Sequence, residues 1–177
     1  GVAITRTYSK EPEHYIFRTS ANDEIQAQMV AREAVERRNL RKVALLHDTT
    51  AYGEQGKDFL LAELVKYGVK PVSVSAFPLG VADLTAALDK ARKAGAEVIL
   101  TYTVGPELAV IANGRARLGW KAPLIGSWPL SWANFLNVAK SNAEGASMPQ
   151  TFIEEPVNSR RTEFIVTYLG KNNLKRI

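Results

Sequence analysis

Few residues in this chain could act as nucleophile, base or metal ligand: it has two histidines, His14 and His47, and no cysteine. His47 stands beside Asp48, a pairing that could serve as a general base and the carboxylate that orients it. Such a pair more often ends a strand and bonds locally. Neither histidine sits at metal-ligand spacing from another ligand. Glu154 and Glu155 are adjacent carboxylates, but neighbours in an extended segment point opposite ways and make a poor acid/base dyad. There is no GxSxG nucleophile elbow, no GxxxxGK[ST] and no GxGxxG after an apolar run. Catalysis finds no constellation here, and no cofactor or metal is implied.

What remains is binding. The stretch Lys42 to Gly56, KVALLHDTTAYGEQG, runs from the apolar Val43–Leu46 through polar His47–Thr50 into a helix entered at Tyr52-Gly53. Similar apolar runs are followed by Phe77, by Tyr102, Thr103 and Val104, and by Ser127 and Trp128. In an open α/β sheet, ligands sit beyond the carboxyl ends of the strands. Thr49, Tyr52, Thr103, Val104, Ser127 and Trp128 are therefore the candidate ligand-binding residues. Hydroxyls and aromatics together suit a small solute with an apolar body and a polar head. Loop packing explains Tyr52 or Trp128 singly just as well. The group favours binding, because parallel strands bring all these ends to one side.

The elements that must position them follow from periodicity. Tyr15–Phe17 is a short extended run. Ser20 and Asp23 have capping-box spacing, with Asn22 the rival cap, and Ala27, Val30, Ala31 and Ala34 form one helical face. After the strand at 43–46, a helix places Leu60, Leu61, Leu64 and Val65 on one side, with Gly68 as its stop. The alternation over Val72–Phe77 predicts a strand near a sheet edge. Asp83 reads as an N-cap for a helix carrying Leu84, Ala87, Leu88 and Ala91. A buried strand at Val98–Leu100, a helix opened by Pro106 and a strand at Leu124–Ile125 come next. A helix over Trp132–Lys140, an extended piece at Ala146–Phe152 and a last helix marked by Phe164, Ile165, Tyr168 and Leu169 complete the chain. Strands alternating with helices predict βαβ units. The fold class is thus α/β: a three-layer Rossmann-like (flavodoxin-like) lobe, its mainly parallel sheet of about five strands covered by helices on both faces.

The 177 residues suit one domain with a real core. No apolar run approaches the roughly 20 residues a membrane-spanning helix needs. Part of the net charge of +5 gathers at Arg37, Arg38, Arg41 and Lys42, where a helix ends and its dipole favours cations. A nucleic-acid surface would need that patch extended and interleaved with aromatics. Nucleic acid is therefore not an expected partner.

HDTTAYGEQG resembles the HDxxxYG segment of the type I periplasmic substrate-binding proteins of ABC transporters, the leucine/isoleucine/valine-binding group. The resemblance continues through YIFRTSANDEIQA, DLTAALDKARKAGAEVIL and GPELAVIANGRARLGWKAPLIGS, and covers about Glu13 to Phe152. It implies two α/β lobes joined by a hinge and closing on a solute. The chain matches the second lobe as a single domain over residues 1–177, with 1–19 as inter-lobe lead-in strand and 160–177 as C-terminal helix. The missing first lobe of the same protein and an ABC permease are the implied partners, and the periplasm the implied location. The exposed inter-lobe face of an isolated lobe predicts a homodimer.

By the same resemblance Tyr52 lines the pocket, Thr103, Val104 and Gly105 supply a second contact, and a third follows the strand ending at Gly126. Amino-acid-binding members carry there an acid that holds the ligand's ammonium; this chain has Trp128. An indole offers an apolar face in place of a carboxylate, which points to an apolar or aromatic body, an aromatic carboxylate among them. Two other classes stay open: a ligand-sensing domain of a transcription regulator or receptor, and a flavodoxin-like or hydrolase-type α/β enzyme using Asp48 or His47.

Overall fold

The computed structural model describes residues 20–175. The extended run at 15–17, the lead-in over 1–19 and His14 lie outside the described residues. Asn22 caps the first helix, α1 (Asp23–Arg32), its side chain accepting from the Ile25 amide at 2.8 Å. The rival cap prevails over Ser20. The helix ends in a π turn over Glu33–Arg37. There follow β1 (Val43–Asp48), α2 (Ala51–Lys66), β2 (Ser73–Phe77), α3 (Thr85–Lys93), β3 (Val98–Tyr102), α4 (Gly105–Arg117) and β4 (Leu124–Gly126). A 3-10 turn over Trp128–Ser131, α5 (Ala133–Ala139), a second 3-10 turn and α6 (Ser159–Asn172) close the order.

Among the described residues the sheet has four strands in the order β2-β1-β3-β4, every pair parallel. A fifth position is marked only by a single bridge between Ile125 and Ser147, inside the expected extended piece. Two apolar clusters sit on opposite faces. Val43, Leu45, Val98 and Leu100 meet α1 and α2 through Ala27, Val30, Leu60 and Leu64. Ala44, Leu46, Ile99 and Leu124 meet α3, α4 and α5 through Leu88, Leu108, Ile111 and Phe135. This is the three-layer arrangement the periodicity predicts. Each fully buried leucine is worth about 1.5–3 kcal/mol. The exposed ion pairs, such as Arg32 with Glu36, add little beside that.

Four local expectations change. The strand at 43–46 extends through His47 and Asp48, both buried, because β1 is flanked by β2 and β3 and its ladder runs to its last residue. β2 is an edge strand as predicted, yet Val72 and Val74 face outward and Ser73 inward. Phe77 explains that choice: it shares a side with Ser73 and drives into the α3 cluster. Val65 on α2 is 72% exposed, leaving Leu60 and Leu64 as the inward stripe. Asp83 accepts from the Thr85 amide at 3.0 Å, and the helix it leads begins two residues later, at Thr85.

Candidate functional site

Because all four strands run parallel, the ends of β1, β3 and β4 open on the same edge, with β3 between the other two. Asp48 ends β1. Its carboxylate accepts from the Thr50 amide at 2.9 Å and from the Thr50 hydroxyl, an Asx-type turn that starts α2. The Thr50 hydroxyl in turn accepts from the Gly53 amide. One oxygen of the Asp48 carboxylate thus turns the chain, while the other is buried with no hydrogen-bond partner among the described residues. His47 directs Nδ1 at the backbone carbonyl of Asp48, 3.1 Å away, and not at its carboxylate. The pair forms no base-and-orienter couple; the carboxylate nearest Nδ1 is that of Glu54, 3.5 Å away.

Two glycines let α2 settle against the strand ends. A Cβ on Gly53 would lie 2.1 Å from the Asp48 carbonyl oxygen, and one on Gly56 1.9 Å from the Tyr102 ring. Neither space admits a side chain. The spacing Tyr52-Gly53-x-x-Gly56 is thus a packing device that brings the first turn of α2 down over β3.

That approach carries Tyr52 across the end of β3. Its ring packs on Tyr102 with centroids 5.0 Å apart, and its hydroxyl donates to Ser127 Oγ, just past β4, at 2.6 Å. Burial pushes the Tyr52 phenol well above its ordinary range, the nearby Asp23 and Asp48 carboxylates adding to the effect and the Ser127 bond opposing it. The Trp128 indole N–H also lowers it, approaching the Tyr52 oxygen without meeting hydrogen-bond geometry. The backbone amide of Trp128 donates to Gln26 Oε1 at 3.1 Å. Tyr102 donates to the Asp23 carbonyl at 3.0 Å. Trp132 stands edge-on to Trp128, centroids 6.0 Å apart.

Of the six candidate residues, then, Tyr52, Ser127 and Trp128 are brought together. Thr49 is exposed at the end of β1, its amide bonded to the Phe77 carbonyl. Val104, half-buried, precedes α4 at the end of β3. Thr103 is fully buried and Ser127 is 2% exposed, so both sit beneath the rim; their strands are covered on both faces up to their last residues. Phe77 and Tyr102 are core side chains for the same reason. Sequence reasoning missed Gln26. Its signal was a polar residue one turn before Val30, on the stripe that faces the sheet.

The rim is open. The hollow against Trp128, bounded by Gln26, Met29 and Pro149, holds about 20 Å³. A solute pocket usually offers on the order of 300 Å³ or more. A larger concavity of about 620 Å³, lined by Arg38, Arg115 and Trp120, lies at the opposite end of the sheet and touches none of the candidate residues. Among the described residues no group of three or more His, Asp or Glu could hold a metal ion, and no helix is long and apolar enough to cross a membrane.

The profile of the periplasmic binding protein family matches residues 2–172. Leu/Ile/Val-binding protein homolog 3 of Brucella melitensis is 29% identical over 130 residues, 73% of this chain and 35% of the relative. A leucine-, isoleucine-, valine-, threonine- and alanine-binding protein of Pseudomonas aeruginosa is 26% identical over 81% of this chain and 39% of its own length. Among solved structures, a periplasmic binding protein type 1 from Bordetella pertussis superposes with TM-score 0.73 at 26% identity, covering 88% of this chain and 42% of that one. The closed form of a leucine-, isoleucine-, valine-, threonine- and alanine-binding protein from Brucella ovis reaches 0.79 at 20% identity, covering 90% and 41%, and shares the fold. The chain spans well under half the length of these relatives, which are binding proteins and not enzymes. A parallel lobe of this topology, matched from residue 2 to residue 172, belongs to the type I periplasmic binding protein family.

Proposed function

We propose that this chain is the second lobe of a solute-binding component of an ABC uptake transporter, working in the periplasm. It presents one half of a cleft, and a first lobe of the same protein supplies the other. Thr49, Tyr52, Val104 and Trp128 touch the solute, while Thr103 and Ser127 hold the rim from below. The observation that carries this reading is the crossing of Tyr52 over β3 to Ser127, which sets Trp128 and Tyr52 side by side on an open rim. The open rim fits a half-site: each Å² of apolar solute left wet forgoes roughly 25 cal/mol, so one lobe alone binds weakly. The bound protein then docks on a permease, and no nucleic acid is involved.

The relatives' names speak of branched-chain and other small amino acids. The solute proposed here keeps an apolar body and a carboxylate, an aromatic carboxylate being the favoured form. The reason is Trp128, which puts an indole where an ammonium would need a carboxylate. A thermal-shift screen of the complete two-lobed protein tests this, since a ligand that binds only the folded state raises its stability by mass action. Benzoate and phenylacetate are expected to raise the melting temperature more than leucine. Tight leucine binding with no response to aromatic acids would remove the aromatic assignment; no response to any solute would remove the binding role.

A further inference from the structure

Gln26 is 2% exposed, yet it carries an amide whose two ends are both used. Its Oε1 accepts from the Trp128 backbone amide at 3.1 Å, a contact across 102 positions of sequence. Its Nε2 donates to the Ala21 carbonyl at 3.3 Å, one turn back at the mouth of α1. The side chain thus ties the start of α1 to the second residue after β4. Its neighbour in the same turn, Asp23, accepts from Tyr102 at the end of β3. Tyr102 supports the ring of Tyr52, and Tyr52 donates to Ser127, the residue before Trp128. The loop of contacts closes on itself: two residues of α1 hold two adjacent points of the rim.

Among the described residues, Gln26 is the one acceptor that amide has. β4 ends at Gly126, and the turn that follows gives residue 128 no ladder partner. Glutamine supplies an uncharged acceptor at the reach required. A shorter amide would fall short, and an aliphatic residue would leave a poorly solvated amide without its acceptor. The loss would be felt at the indole, because Trp128 is half-buried and its ring position follows its backbone.

We propose that Gln26 is a positioning residue for solute binding, fixing the backbone of Trp128 so that the indole stands beside Tyr52 at the rim. The proposal rests on the rim being a solute site, but its structural core is measurable without any solute. In the unmutated chain, a through-hydrogen-bond coupling between the Trp128 amide nitrogen and the Gln26 side-chain carbonyl carbon is expected, with slow exchange of that amide. Gln26→Met keeps the length and loses the oxygen; the Trp128 amide should exchange faster, and acrylamide should quench Trp128 more strongly in a Trp120→Phe, Trp132→Phe background. Gln26→Glu keeps the acceptor for Trp128 but loses the donor to the Ala21 carbonyl and buries a charge near Asp23, so it should return both readouts only in part. In the complete two-lobed protein, Gln26→Met should weaken benzoate binding on the order of tenfold, with Gln26→Glu closer to the unmutated affinity. Missing coupling with fast exchange in the unmutated chain overturns the proposal, whatever the variants do. A folded Gln26→Met protein with unchanged quenching, exchange and benzoate affinity overturns it as well. If no protein binds benzoate or leucine, the binding role fails while coupling, exchange and quenching still decide the placement of Trp128.

Discussion

Tyr52 and Ser127, 75 positions apart, are joined by a 2.6 Å hydrogen bond that spans the end of the intervening strand β3. The bond ties the first turn of α2 to the residue after β4, two segments that share no strand pairing. It makes the rim one unit. It also means that the tyrosine hydroxyl is engaged before any solute arrives.

Tyr52→Phe keeps the ring on Tyr102 and removes the bond. The expected loss is about 1 kcal/mol of stability, the usual net worth of a hydrogen bond of this kind. Urea denaturation of the two proteins measures it. A loss of several kcal/mol would mean that the bond holds more than the rim.

The same phenol gives a pH signature. Its folded pKa lies above the ordinary value of 10.0, with burial the main cause. Proton release therefore favours the unfolded chain. The contribution is intact below pH 10 and is lost as pH rises from there through the raised value. Ultraviolet titration should show Tyr52 among those of the six tyrosines that ionise late, together with unfolding, and Tyr52→Phe should lower the amplitude of that late step by one tyrosine.

Gly53→Ala and Gly56→Ala should each destabilise the chain by about 3 kcal/mol, because the added methyl meets a backbone oxygen in one case and an aromatic ring in the other. Gly80→Ala serves as a contrast: nothing lies within 4 Å of its Cβ, and only its positive φ of 79° resists the change. Thermal denaturation ranks the three. A Gly53→Ala protein as stable as the parent would show that α2 does not sit as close as described.

Thr101 is fully buried and its hydroxyl has no hydrogen-bond partner among the described residues. Thr101→Val preserves the shape and removes an unsatisfied group, so it should raise stability by about 1 kcal/mol. A drop would reveal a water held at that hydroxyl.

The aromatic strip on α6 is uncovered. Phe164 is 51% exposed, packs edge-on to Phe152 and stacks on Tyr168, and Ile165 is the one buried residue of that helix. Light scattering should detect concentration-dependent self-association of the chain, reduced by Phe164→Ser. A clean monomer at high concentration, unaltered by the substitution, would speak against it.

The architecture was legible from the chain because its cause is local. Apolar runs at 43, 98 and 124, separated by helices with a single inward stripe, leave a parallel sheet with two covered faces as the arrangement that buries them all. The edge position of β2 could be read from its alternation, and the common side of Thr49, Val104 and Trp128 follows from parallel topology. Which of those strand-end residues reach solvent was not legible. Thr103 and Ser127 are as polar as Thr49, but coverage by neighbouring elements sets burial, and alternation alone does not report it.

Sequence by itself settled the type and order of the elements, since hydrophobic period is a property of neighbours in the chain. Tertiary structure alone decided that Asp48 turns the backbone and orients no histidine, that two glycines in α2 exist to admit a carbonyl and a ring, and that Gln26 holds Trp128. Each of these is a contact made at a distance fixed by how the helices settle on the sheet. No residue type encodes such a distance; it emerges only when both apolar faces have closed.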